Sequence, residues 1–175
     1  MANTYVALAK TVLTTTQATI TFSSIPSSYT DLIVVCSAKN SRSDLAISSM
    51  TVSFNNTGGT AYSWTELTVT GLSSSTVGSA RATGYPYIDD IYITTAAGTA
   101  DTFNSVEIYI PNYSGATNKL VSISSNTERN TANAYTAQIA GLFSNTAAIN
   151  RIDLTTAGYN FVSGSRFDLY GIKSS

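Results

Sequence analysis

Apolar residues recur along this chain in short runs, and clusters of polar turn residues separate one run from the next. The clearest run is residues 103–110, where Val106, Ile108 and Ile110 share one parity. Alternate side chains of an extended strand point to opposite faces, so this pattern is typical of a strand with one buried face. No segment keeps the 3.6-residue spacing of a helix over ten or more positions. The pattern therefore predicts an all-β domain.

The spacing of the runs predicts the architecture. With turn residues between the runs and long polar loops, we expect an antiparallel β-sandwich rather than a closed barrel. At this length a jelly roll of roughly eight to ten strands is the favoured version. The segments with the strand pattern are residues 3–13, 19–22, 31–38, 47–54, 62–64, 67–69, 80–83 (a short edge strand), 88–94, 103–110, 119–124, 135–143, 149–154 and 163–173.

Two of these segments have predicted places in the sheet. Residues 31–38 are apolar on both parities, which predicts a central strand covered on both faces, with Cys36 as a small buried hydrophobe. In residues 163–173, Phe167 and Leu169 share one face, and this strand must be paired inside a sheet beside strands made much earlier. Gly171 is expected to let a neighbouring backbone come close.

Composition bounds the size, the compartment and the partners. The chain of 175 residues predicts a single sandwich domain over residues 14–175, with residues 1–13 as a first strand or an arm that reaches a neighbour. Charged residues make up 11% of the chain, whereas Ser and Thr make up roughly 30%. A net charge of −1 without a basic cluster argues against nucleic-acid and membrane partners. Without a signal peptide, and with one Cys, we expect synthesis in a reducing cytoplasm.

Catalytic chemistry has few candidates, and we expect no enzyme, no catalytic residue and no cofactor. The chain has no His, which removes the usual general base and the usual metal ligand. Asp89 and Asp90 are adjacent, so on a strand they face opposite sides and cannot flank one glycosidic bond. A weak calcium site built from Asp89, Asp90 and Asp101 is conceivable, but solvated turn acids are the favoured interpretation.

The tyrosines allow two interpretations. Exposed Tyr side chains can stack on sugars or anchor a protein interface, whereas the simpler interpretation is that they fill strand positions at a sheet rim. The residues concerned include Tyr62, Tyr85, Tyr87, Tyr92, Tyr109 and Tyr113.

Three stretches together resemble small virion structural proteins of tailed bacteriophages, including those of cyanophages. They are residues 5–40, above all the segment 20–32, then residues 52–64, and then residues 164–173. The resemblance implies a jelly-roll-like sandwich on a phage particle, made in the cytoplasm of a bacterial host. In such proteins the turn within residues 52–64 often carries Gly-Asp where this chain has Asn56-Thr57, which argues against a metal or ligand role for it.

Two roles follow from this resemblance. In the first, the chain is a head decoration (cement) protein that binds and stabilises the lattice of the major capsid protein as a homo-oligomer, with a trimer as the expected state and residues 1–13 as an anchoring arm. In the second, it is a tail-fibre or receptor-binding subunit that recognises host surface glycans. The sequence contains no coiled-coil stalk, which favours the first role.

Overall fold

A computed structural model describes residues 4–71, 76–129 and 134–173. The described residues form twelve β-strands and contain no helix. The strands are β1 (Thr4–Val12), β2 (Thr19–Phe22), β3 (Asp31–Asn40), β4 (Ile47–Phe54), β5 (Tyr62–Gly71), β6 (Thr76–Tyr85), β7 (Ile88–Thr95), β8 (Asn104–Ile110), β9 (Lys119–Thr127), β10 (Ala134–Phe143), β11 (Ile152–Thr156) and β12 (Arg166–Lys173).

The strands form a large and a small sheet that pack face to face. The large sheet has the order β1-β12-β3-β8-β9-β10-β5-β6, and the small sheet has the order β2-β11-β4-β7. The two sheets are joined by a short parallel contact, in which Lys39 and Asn40 of β3 pair with Thr94 and Thr95 of β7. All other pairs among the described strands are antiparallel.

The strand order is that of a jelly roll with two added hairpins. The hairpins are β5–β6 and β9–β10, which extend the large sheet beyond β8. The other eight strands, renumbered along the chain, give the orders 1-8-3-6 and 2-7-4-5, which is the jelly-roll arrangement. The predicted all-β sandwich is therefore confirmed. The total of twelve strands exceeds the expected eight to ten because of the two hairpins.

The last strand lies inside the large sheet, as predicted. β12 pairs with β1 along one edge and with β3 along the other, and Phe167 and Leu169 point into the core. On the opposite face, Asp168 is also buried, and the Arg166 Nε donates to its carboxylate at 2.5 Å. β1 follows β12 over nearly its whole length, with one register shift.

β3 differs from its prediction on one face. It is central, between β12 and β8, as expected. However, Val35 and Ser37 on the face away from the core are exposed, so the expectation that both faces are covered is wrong there. Residues 31–38 thus have one face buried in the core. Their other face is shielded only in part, by the neighbouring strands. Cys36 is buried, as predicted, and burial, together with the nearby charge of Asp168, raises the pKa of its thiol.

Aromatic side chains connect the two sheets at the start of the β5–β6 hairpin. The rings of Tyr62 and Phe143 stack with centroids 4.9 Å apart, and Phe54 packs on both rings. The Tyr62 hydroxyl accepts a hydrogen bond from the Phe54 backbone N–H at 2.8 Å and donates one to the Phe54 carbonyl at 3.2 Å. This arrangement fixes the end of β4 over the start of β5, and thereby positions the hairpin.

A buried ammonium ties two loops together near the same end. Lys119 is fully buried at the start of β9, and its Nζ donates to backbone carbonyls before and after β9–β10. The carbonyl of Gly115 accepts at 2.7 Å, and that of Asn145 at 3.5 Å. Burial lowers the pKa of this ammonium, and the surrounding carbonyl oxygens compensate for the water it has lost.

Gly171 makes room for an aromatic ring rather than for a neighbouring backbone, which corrects the prediction. A Cβ built on Gly171 would lie 2.5 Å from Cγ and 2.6 Å from Cδ1 of Tyr29. Next to this contact, the Thr30 N–H donates to the Ile172 carbonyl at 2.8 Å. The loop before β3 therefore covers β12 at this position.

We expect Gly171→Ala to destabilise the fold, because the added methyl group would displace the Tyr29 ring. Overpacking of this kind lowers the free energy of unfolding by about 1–3 kcal/mol. The measurement is chemical denaturation. Gly58→Ala is the matched control, because a Cβ added at Gly58 would have no atom within 4 Å. Equal unfolding free energies for the two variants would contradict the assigned contact.

Candidate functional site

The face of the large sheet that points away from the small sheet, here called the outer face, carries mainly small polar side chains. On β5, β9 and β10 every second residue points to this face, and most residues between them are buried. The outward positions on these three strands are Ser63, Thr65, Leu67 and Val69 on β5, Leu120, Ser122, Ser124 and Asn126 on β9, and Thr136, Gln138, Ala140 and Leu142 on β10.

Two groups of neighbouring apolar side chains lie on the outer face. Val69 on β5 stands directly opposite Val77 on β6, and Leu67 is two residues from Val69 on the same face. Val77 is 71% exposed and Leu67 is 50% exposed. On β9, Leu120 is 65% exposed and stands opposite Leu142 of β10. Contiguous exposed apolar groups are typical of protein interaction sites, whereas scattered ones are ordinary.

In part of β5 the usual polarity is reversed, so that polar side chains point into the core and apolar side chains point to solvent. Trp64 points inward, as its polarity favours, but the next inward residues are Glu66 and Thr68, while Leu67 and Val69 point to solvent. The register with β10 is continuous along this stretch, so no bulge corrects the reversal. A shift of the β5–β10 register by one residue would turn Leu67 and Val69 into the core, but the observed pairing contains no such shift.

Shallow depressions follow the outer face from one end to the other. One of about 420 Å³ lies between β5 and β10, beside Leu67 and Gln138. Another, of about 460 Å³, lies between β3, β8 and β12, beside Val35 and Tyr170. They are open rather than enclosed, so they suit contact with another surface better than capture of a small molecule.

Few charges interrupt the outer face. Arg166 and Asp168 neutralise each other, and Lys10 of β1 stands opposite Asp168. Further charged residues at outward positions of the described strands include Asp31 of β3, Glu107 of β8 and Arg81 of β6. The surface therefore has no electrostatic footprint for an anionic polymer.

A buried carboxylate lies behind the reversed part of β5. Glu66 is 7% exposed, and its Oε2 has no hydrogen-bond partner among the described residues. Burial raises the pKa of Glu66, and the neighbouring Asp90 carboxylate raises it further. Asp90 accepts a hydrogen bond from Trp64 Nε1 at 3.1 Å, and burial raises its pKa as well. Glu66 and Asp90 are thus a close acidic pair that strand spacing alone could not reveal.

The three aspartates considered for calcium do not come together. Asp89 and Asp90 lie at the start of β7, where the Asp89 carboxylate accepts the Asp90 backbone N–H at 2.8 Å. Asp101 lies in the turn beyond the other end of β7. Among the described residues, no three His, Cys, Asp or Glu side chains are close enough to hold a metal ion.

The six tyrosines named from the sequence lie in different parts of the fold. Tyr62 and Tyr113 belong to the core, where the Tyr113 hydroxyl donates to the Pro26 carbonyl. Tyr92 and Tyr135 pack together at a centroid distance of 5.4 Å beside Glu66. Of the six, Tyr85 is exposed and packs edge-on against Trp64, whereas Tyr87 and Tyr109 are half-buried.

Comparisons with known proteins do not assign a family. No family model, no curated protein and no solved structure matches the chain. A separate observation concerns membranes: the described residues include no helix long and apolar enough to cross a bilayer.

We expect Glu66→Gln to flatten the dependence of stability on pH. The raised pKa of Glu66 means that the folded state favours the neutral carboxyl group. The stabilisation that this group contributes is therefore complete below its ordinary pKa of 4.5. It is lost as pH rises through the raised folded-state pKa. The wild type should therefore fall below the Glu66→Gln variant in unfolding free energy above pH 4.5, and the two should converge near pH 3.

Urea denaturation from pH 3 to pH 8 measures this difference. Glu107→Gln, at an exposed carboxylate on β8, is the control and should leave the profile of the wild type unchanged. A Glu66→Gln variant whose profile runs parallel to that of the wild type would contradict the assigned burial of this carboxylate.

Proposed function

We propose that this chain is a structural protein of a tailed-phage particle and that its outer face packs against neighbouring protein subunits. The observation that carries the proposal is the reversed polarity of β5, which exposes Leu67 and Val69 while it buries Glu66. A monomer gains nothing from this arrangement, because apolar area stays in water and a carboxylate loses its hydration. Covering the outer face would recover the apolar part of that loss.

The particle role rests on two further lines of support. Jelly rolls are a common architecture of viral capsid domains, although lectins and cupins share it, so the fold alone does not decide function. The resemblance of residues 20–32, 52–64 and 164–173 to phage virion proteins adds the particle context.

The specific role that we propose is a capsid decoration protein. Subunits bound to the lattice of the major capsid protein, themselves associated as a homotrimer, would stabilise the assembled shell by mass action, because they bind the assembled lattice and not free capsid subunits. Each contact would need to bury about 1,000 Å² or more in total. A surface of small polar and apolar groups with few charges suits such a broad contact.

Tail-fibre recognition of host glycans is the competing role. It needs aromatic side chains that are open to a sugar. The core positions of Tyr62 and Tyr113 remove two of the tyrosines named for it. Locating the chain on the particle by electron microscopy distinguishes the two roles.

Electron microscopy of intact particles of the encoding phage, labelled with an antibody against this chain, tests the location. We expect label over the capsid faces. Label confined to the tail would replace the decoration role by the fibre role, and glycan binding would become the next measurement. Particles without label, in a preparation where the antibody binds the purified chain, would refute both.

Leu67→Ser should weaken binding of the purified chain to particles that lack it by roughly tenfold, since burial of a Leu side chain contributes about 1.5–3 kcal/mol. Leu45→Ser is a matched control, because Leu45 is 51% exposed, as Leu67 is 50% exposed, but lies in the loop before β4. Cosedimentation with particles measures both affinities. Equal loss of binding in the two variants would exclude the outer face as the contact surface.

A further inference from the structure

One sheet edge differs from the others in how little protects it. Exposed edges can pair with another chain, and proteins prevent this with short strands, charges, Pro residues or bulges. β2, at one edge of the small sheet, has four residues. β1, at one edge of the large sheet, carries Lys10 and a register shift between Ala7 and Ala9. β7, at the other edge of the small sheet, has a register shift opposite Met50–Val52, and its end pairs with β3.

β6, the remaining edge, has none of these protections over most of its length. It has ten residues, and its register with β5 is regular from Thr76 to Thr83. Arg81 is its one charged residue, and Pro86 lies beyond its end. Within the described part of the chain, no strand pairs with its second edge. A strand of this length presents a row of unpaired backbone groups about 33 Å long.

β6 also extends beyond the cover of the small sheet. β7, the last strand of that sheet on this side, packs against β5 and β10, and β6 lies farther out. Nine of the ten β6 residues are exposed, and Ala82 is half-buried. Gly78 and Ala80, on the side of the small sheet, add no bulk that would obstruct an approaching chain. The free edge is thus accessible from both faces.

We propose that β6 pairs in antiparallel fashion with β6 of a second copy of this chain, about a two-fold axis at Ala80. A row of alternating backbone donors and acceptors is satisfied by an extended strand. The net charge of −1 means that two copies repel each other weakly. The proposal does not rest on the particle role proposed above.

The register follows from the side-chain pattern. In a continuous sheet, paired residues point to the same face, so odd positions of β6 pair with odd positions and one residue lies on the axis. The two longest overlaps place Ala80 or Arg81 on the axis. An axis at Arg81 would set two guanidinium groups directly opposite each other, which is destabilising. An axis at Ala80 sets Arg81 opposite Ser79, and Val77 opposite Thr83, without a like-charge pair.

This contact would join the two large sheets into one continuous sheet across the dimer. The outer faces of both copies would lie on the same side, because the axis is perpendicular to the sheet. The apolar group of Leu67, Val69 and Val77 would then be present on both sides of the axis. In the proposed trimer, a two-fold contact of this kind would link one trimer to the next.

Disulfide trapping of Ala80→Cys tests the register. A residue on the axis faces its own copy with Cα atoms about 4.5–5.5 Å apart, which lies in the range of disulfides. Val77→Cys is the matched control, because six residues would separate the two copies of position 77, or about 20 Å along the strand. The native Cys36 is buried and should not react. Circular dichroism would establish that both variants are folded.

We expect oxidation of Ala80→Cys to give at least tenfold more covalent dimer than oxidation of Val77→Cys at the same concentration. Sedimentation of the wild type should show that the smallest species, a monomer or the proposed trimer, associates further as the concentration rises. A yield for Ala80→Cys no greater than that for Val77→Cys would overturn the register. A wild type that sediments as one species, monomer or trimer, without further association up to the highest soluble concentration would overturn the contact itself.

Charge substitutions at Ser79 give an independent test, because the proposed register sets Ser79 opposite Arg81 of the other copy. Ser79→Glu should tighten the dimer and Ser79→Lys should weaken it, with a difference in dissociation constant of roughly tenfold, since each change acts twice in a two-fold contact. Analytical ultracentrifugation measures both constants. Identical constants, or the opposite order, would exclude the pairing of these two positions.

Discussion

The structure depends on the pairing of β12 between β1 and β3. Without β12, the large sheet would be cut beside β3, and β1 would have no neighbour among the described strands. Phe167 and Leu169 fill the core from this strand, and the Tyr29 ring lies over Gly171 at its far end.

The sequence predicts the strands well where one face is buried and the alternation is complete. β8 is such a strand, since Val106, Ile108 and Ile110 share the inward parity, and in β12 Phe167 and Leu169 do the same, although Ile172 lies on the opposite parity. For β6 the sequence predicts only a short edge strand at residues 80–83, whereas the strand covers ten residues. Its residues are mostly small and exposed, so they carry no hydrophobic period, and the strand exists because β5 pairs with it.

The candidate site is harder to predict for a physical reason. In β5 the inward side changes from apolar Trp64 to polar Glu66, and periodicity alone would assign Leu67 to the core. The proximity of Glu66 to Asp90 arises from the packing of two sheets, which sequence separation does not encode. The same holds for Gly171, whose neighbour Tyr29 comes from a loop far away along the chain.

The position of β12 also has a consequence for the order of events during synthesis. β1 and β3 are made early, but each keeps an unpaired edge until β12 has emerged from the ribosome. Closing a loop of this length is slow compared with forming local hairpins such as β9–β10. The nascent chain should therefore spend time as a half-built sheet, and in that interval chaperones or other nascent copies compete for the place that β12 will occupy.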